Sequence, residues 1–296
     1  MGAMHVAMSA IGEGTAMVRH SEGLTTEPEP GTFSAGLRRD MELLDTLAAA
    51  DRTDGAGLGV AQVADRLGRS RSQVSRALRA LQAEGLVERD ERTLLYRLGW
   101  RIYAFAARTV ETRLTHLAAP YLRRLVSSLH ETVHLCVLRG DQVLTVSSVS
   151  PPHAFRGLGW EGLTVPALST SAGRVLVADW PAEALRALLD AQLAPGPAPR
   201  SAAGPRGRMA IRTEQDLHLE LAKVRRHGFA MVDEEFEEGV VGVSAPVYDF
   251  RRQVAAAINV SAPKGRLGQH LPRAGQRTRA IARELSAELG REPALS

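Results

Sequence analysis

Cysteine, lysine and aromatic residues are all scarce in this 296-residue chain, and each scarcity narrows what it can be. With Cys136 as its lone thiol it forms no intramolecular disulfide, which fits a reducing compartment. Neither of its two lysines, Lys223 and Lys264, has the preceding glycine and following Ser or Thr of a P-loop, so nucleotide hydrolysis is not indicated. Nowhere do about eighteen apolar residues run unbroken. The opening MGAMHVAMSAIGEGTAMVRH also lacks the positive start and sustained apolar centre of a signal peptide. A soluble, cytoplasmic chain is the expectation. Gly55, Gly57 and Gly59 have partial dinucleotide spacing but follow Asp54 rather than a strand, so they read as a flexible loop. The acidic run DEEFEE at 233–238 lacks the alternating ligands of an EF-hand and reads as a solvated turn.

What is abundant is arginine, which supplies nearly all the positive charge and is the planar donor suited to phosphate and guanine. The net charge is +4, and a hydrophobic content of 44% suffices for two cores of ordinary size. Residues 60–99 carry the strongest pattern. Val60, Val63, Ala64 and Leu67 share one helical face, and Gly68 ends that helix in a tight turn. After Ser70 as N-cap, a second helix buries Val74, Ala77, Leu78 and Leu81. Five arginines and no acid lie between Arg66 and Arg79. Gly85 closes the helix, residues 86–89 and 94–98 read as two strands, and 90–93 as a wing tip bearing Arg92. Two helices, a turn and a hairpin in this order are the grammar of a winged helix-turn-helix, whose second helix enters the major groove of DNA. The candidate DNA contacts are Arg69, Ser70, Arg71, Ser72, Gln73, Ser75, Arg76, Arg79 and Arg92.

Residues 1–32 read as a mobile tail, 33–99 as the DNA-binding domain, 100–118 as a linker and dimerisation helix, 119–290 as a second domain and 291–296 as a short tail. Leu37, Met41, Leu44 and Leu47 form the apolar stripe of a first helix. Ile102, Phe105, Ala106, Val110, Leu114 and Leu117 form that of the linker, which is expected to end before Pro120, with a new helix at 121–130. Beyond it, residues 133–138 and 143–148 flank RGDQ as a hairpin. Helices are expected at 169–178, 182–191, 214–227 and 276–289, strands near 229–232, 241–248 and 253–261, and an exposed loop at 193–207. The fold class is α+β.

His130, Glu131 and His134 satisfy HExxH, a zinc-hydrolase pattern that needs both histidines on one helical face. The apolar, β-branched run TVHLCVL around His134 reads instead as a strand, which sends the two rings apart. No cofactor or metal is expected.

Three stretches together resemble the IclR family of bacterial transcriptional regulators, and the resemblance covers residues 37–289. They are LVERDERTLLYRLGWRI at 86–102, WEGLTVPALSTSAGRVLVA at 160–178 and RRHGFAMVDEEFEEGVVGVSAPVYDFRRQVAAAINVSAP at 225–263. The resemblance implies a winged helix joined by a helix to a GAF-like mixed α/β domain that binds a small effector. It implies no enzyme, but a dimer or tetramer, most of all a repressor, on palindromic double-stranded DNA beside a catabolic operon. Carried onto this sequence, the family's pocket falls on Val165, Ser171, Ala172, Val232, Val240, Gly242, Asn259 and Ser261, with Ser169 and Thr170 at the adjoining helix start. A carboxylate, on an aromatic or short-chain acid, is the expected effector group; His153, Phe155, Arg156 and Trp160 read either as ordinary loop surface or, His153 or Arg156, as its partner and, Phe155 or Trp160, as its cover. Val232 and Gly242 stand where relatives often carry Asp and a larger residue, so a roomier, less polar pocket than one for glyoxylate is expected. A sensor or scaffold that uses its winged helix only for protein contacts is the remaining alternative.

Overall fold

The computed structural model describes residues 34–51, 57–151, 160–194 and 211–290. Both tails, most of the loop expected at 193–207 and the candidates His153, Phe155 and Arg156 lie outside the described residues. Two compact units meet at the Leu98–Gly99 bond, each with its own apolar core.

The first unit holds α1 (Ser34–Asp51), α2 (Val60–Leu67), α3 (Arg71–Ala83) and the antiparallel pair β1 (Val87–Arg89) and β2 (Tyr96–Leu98). Its core gathers Leu43, Leu47, Val63, Val74, Leu78 and Tyr96. The stripe expected on α1 holds at Leu44 and Leu47 but not before them. Leu37 and Met41 are exposed, because the buried face runs through Leu43, Leu47 and Ala50. Gly68 caps α2 at φ +62°, and Ser70 Oγ accepts from the Gln73 amide at 3.4 Å to start α3. Gly57 is no idle loop residue. At φ +76° it lies so close to Tyr96 that a Cβ would stand 2.6 Å from the Tyr96 carbonyl oxygen. The strands of the wing are shorter than expected, because Asp90 Oδ1 accepts from the Arg92 and Thr93 amides at 2.9 and 2.7 Å and winds the tip into a turn.

The second unit opens with α4 (Trp100–Ala106) and α5 (Val110–Leu129). Here the structure corrects two boundaries. The linker breaks at 107–109, where Thr109 Oγ1 donates to the Ala106 carbonyl at 2.8 Å. It then runs straight through Pro120 to Leu129. Pro120 removes one helical hydrogen bond on an exposed face, while Leu114, Ala118, Leu122 and Leu125 bury the other face on both sides of it.

Next come β3 (Thr132–Arg139), β4 (Gln142–Val149), β5 (Thr164–Pro166), a 3-10 turn (Ala167–Ser169), α6 (Ser171–Leu176), α7 (Ala182–Leu193), α8 (Glu214–His227) and β6 (Ala230–Asp233). The unit closes with β7 (Val240–Tyr248), β8 (Val254–Pro263), α9 (Lys264–Leu267) and α10 (Leu271–Leu289). One helix expected at 169–178 is therefore a 3-10 turn followed by a shorter helix, and the last helix starts five residues before the expected 276. The six strands form an antiparallel sheet in the order β5-β4-β3-β8-β7-β6. Alternation along the strands divides the core. Val133, Leu135, Val243 and Val260 bury one face under α5 and α10, while Cys136, Val143 and Ala257 meet α6 and α8 on the other. With both faces covered, β3 reads as a continuous apolar run. This is a helix-turn-helix unit followed by a mixed α/β unit, the α+β class expected.

Candidate functional site

On the first unit, α3 presents Arg71, Ser72, Gln73, Arg76 and Arg79 to solvent, with Ser75 half-buried and Ser70 at the cap. Arg92 is exposed on the wing turn. Arg69 is placed differently. Its guanidinium pairs with Glu42 of α1 and donates to the Arg39 carbonyl at 3.1 Å, so it ties the turn between α2 and α3 to α1.

On the second unit, a cavity of about 70 Å3 opens between the sheet and α6. Val165, Thr170, Ser171, Ala172, Val232, Val240, Gly242, Asn259 and Ser261 all line it, as does Trp160. Ser169 does not, since its hydroxyl turns away to the Pro166 carbonyl at 2.9 Å. Thr170 Oγ1 caps α6 by accepting from the Gly173 amide at 3.0 Å. Sequence reasoning missed His134, Cys136, Val143, Thr145, Phe236 and Val241. The alternation of β3 could have found the first two, since a buried polar residue on one strand face signals either a partner or a cavity.

A row of polar side chains crosses four strands beneath this cavity. Ser148 of β4 stands opposite His134 of β3, His134 opposite Asn259 of β8, and Asn259 opposite Ser244 of β7. His134 Nδ1 and Ser148 Oγ are 2.8 Å apart. Asn259 Nδ2 donates to Ser171 Oγ at 3.1 Å and to Ser244 Oγ at 2.9 Å, and the two hydroxyls are themselves 2.8 Å apart. Burial holds the His134 imidazole down to about 4 and pushes the Cys136 thiol up to about 12, so both are neutral near pH 7. No Asp, Glu, Lys or Arg lines the cavity among the described residues. Trp160 meets His134 and Phe236 edge-on, with centroids 6.1 and 6.0 Å apart.

The zinc-hydrolase geometry is not formed. His130 caps α5 at φ +56° on the surface, His134 is buried on β3, and the Glu131 carboxylate accepts from Arg266 at 2.7 and 2.6 Å. Part of the acidic run also departs from the solvated turn expected. Glu235 pairs with Arg174, which is 1% exposed on α6, donates to the Leu168 carbonyl at 3.2 Å and also faces Glu220 at 3.5 Å. This cluster around the buried Arg174 anchors the loop that brings Phe236 to the cavity.

The model of the IclR helix-turn-helix domain matches residues 36–91, and that of the bacterial transcriptional regulator IclR C-terminal domain matches residues 106–287. An HTH-type transcriptional regulator of Mycobacterium tuberculosis is 34% identical over 73% of this chain and 79% of its own length. The glycerol operon regulatory protein of Streptomyces coelicolor is 31% identical over 86% of this chain and 96% of its own. In fold, the chain is similar to an IclR homologue from Microbacterium hydrocarbonoxydans solved in complex with 4-hydroxybenzoate. That match has a TM-score of 0.69 at 23% identity, covering 86% of this chain and 99% of that one. With both of its units matched in order, the chain belongs to the IclR family, whose members are transcriptional regulators that bind DNA and not enzymes.

Proposed function

We propose that the protein is a cytoplasmic, effector-responsive repressor of a neighbouring catabolic operon, binding a palindromic operator as a dimer or a dimer of dimers. The observation that carries the DNA-reading half is the outer face of α3, where Arg71, Gln73 and Arg76 stand exposed behind a capped N-terminus. Dimerisation finds support in α4, whose Trp100, Tyr103 and Phe105 are 67, 76 and 56% exposed. The tie to a catabolic operon draws on relatives such as the glycerol operon regulatory protein. For the effector, the support is the cavity of about 70 Å3 over the polar row, a size that suits a small molecule. An acid group on that effector finds no cationic side chain among the described residues that line the cavity. Effector binding changes operator affinity only insofar as it favours one of two arrangements of the protein.

The test of the DNA-reading half is fluorescence anisotropy on the DNA flanking the protein's own gene. Replacing Arg71, Gln73 and Arg76 together by Ala is expected to weaken binding at least about a hundredfold and to flatten its salt dependence. Unchanged, salt-insensitive binding by the triple variant overturns it in favour of a protein-contact module.

A further inference from the structure

We infer that the effector turns an uncharged hydrogen-bond donor on a ring, an aromatic hydroxyl above all, toward the polar row of the sheet, and not the carboxylate that the resemblance implies. This rests on the cavity being the effector site. The argument starts from the triangle of Ser171, Ser244 and Asn259. At 2.8 Å, the two serine oxygens need a hydrogen between them, so one hydroxyl is committed to the other. Were the Asn259 amide reversed, three mutually close oxygens would share only two hydroxyl hydrogens, and one contact would set lone pair against lone pair. The amide nitrogen therefore faces the serines, with both its hydrogens in use at 3.1 and 2.9 Å. What Asn259 has left to offer is an acceptor, the amide oxygen.

The other polar groups around the cavity, the hydroxyls of Ser261 and Thr145 included, are neutral donors and acceptors that bring no charge to balance an anion. Thr170 Oγ1 donates to the Ala167 carbonyl at 3.2 Å and accepts from the Gly173 amide, so its hydroxyl is occupied. His134 is engaged with Ser148 through Nδ1 and is neutral, as is the Cys136 thiol. A carboxylate set against this row meets no opposite charge among the described residues, so its desolvation goes uncompensated there. A hydroxyl meets the acceptor it needs. Much of the remaining wall is apolar, with Trp160, Phe236, Val165 and Val232 suited to the faces and edges of a ring. Gly242 keeps the triangle within reach, since a Cβ there would stand 3.3 Å from Ser171 Oγ and 3.7 Å from Asn259 Nδ2.

The test uses the full chain at pH 7.5 with phenol, toluene and benzoate as probes, read by thermal melting and titration calorimetry. Phenol is expected to bind about three- to tenfold more tightly than toluene, the worth of one net hydrogen bond. Benzoate is expected to bind at least about a hundredfold more weakly than phenol. In Asn259→Leu the advantage of phenol over toluene should vanish while toluene still raises the melting temperature. Gly242→Ala, which removes no polar atom, should weaken phenol and toluene together. Benzoate binding as tightly as phenol, or phenol no more tightly than toluene, overturns the inference and leaves the cavity as the effector site. No binding by any probe overturns both.

Discussion

A buried ring that can gain a proton and a buried thiol that can lose one share the cavity face of a single strand, and together they bound the pH range of the fold. His134 takes up a proton in the unfolded chain near its ordinary 6.5 but in the folded chain only at about 4. Between those values the unfolded state binds more protons, so stability falls as pH drops through that window, by roughly 3 kcal/mol at its foot. Cys136 works from the other side. Its thiol ionises near 9.0 when unfolded and at about 12 when folded, so stability falls again as pH rises above 9. Urea unfolding midpoints at pH 4.5, 7.5 and 10 are expected to show a plateau between two declining limbs. Cys136→Ala should flatten the basic limb alone, and a decline that survives that change assigns it elsewhere.

Among the elements, the junction between the 3-10 turn and α6 has the least tolerance. A Cβ on Gly173 would lie 2.0 Å from the Ala167 carbonyl oxygen and 2.4 Å from its carbon, and a backbone group in a buried turn has nowhere to retreat. Gly173→Ala is expected to cost about 3 kcal/mol and to abolish ligand binding, because the same helix carries Ser171 and Ala172 into the cavity. Chemical denaturation checks the first effect and calorimetry the second. The sequence showed this segment as helix, proline and small residues, yet the break at Thr170 was not legible in it. Periodicity reports the buried face of a helix, whereas the close approach of Gly173 to Ala167 depends on where the sheet holds the preceding strand. Pro120 teaches the converse. Its local signal to stop a helix was overruled by apolar contacts on either side.

For the whole molecule, two separate cores imply two unfolding events. Each unit buries its own cluster, with Leu47, Val74 and Leu78 in one and Leu122, Val243 and Ile258 in the other. Scanning calorimetry of the full chain is expected to resolve two transitions, of which an effector raises only that of the second unit. A single transition that moves as one with ligand would show the units to be cooperative. The proposed function divides in the same way, with the arginines on α3 assigned to DNA and the cavity over the sheet to the effector.

The sequence by itself determined the order of elements, the alternation that buries both faces of β3 and the arginine face of α3, because these depend on local periodicity and composition. The resemblance to the IclR family, carried by motifs spaced far apart along the chain, added nine residues that line the cavity. Only the tertiary structure decided that His134 joins them, that Ser169 and Arg69 turn elsewhere, and that Arg174 clamps the acidic loop from inside. Each of those outcomes depends on which residue a strand or helix brings opposite another. Cross-strand register brought His134, Asn259 and Ser244 into one row, and register is a property of paired strands that no single segment carries.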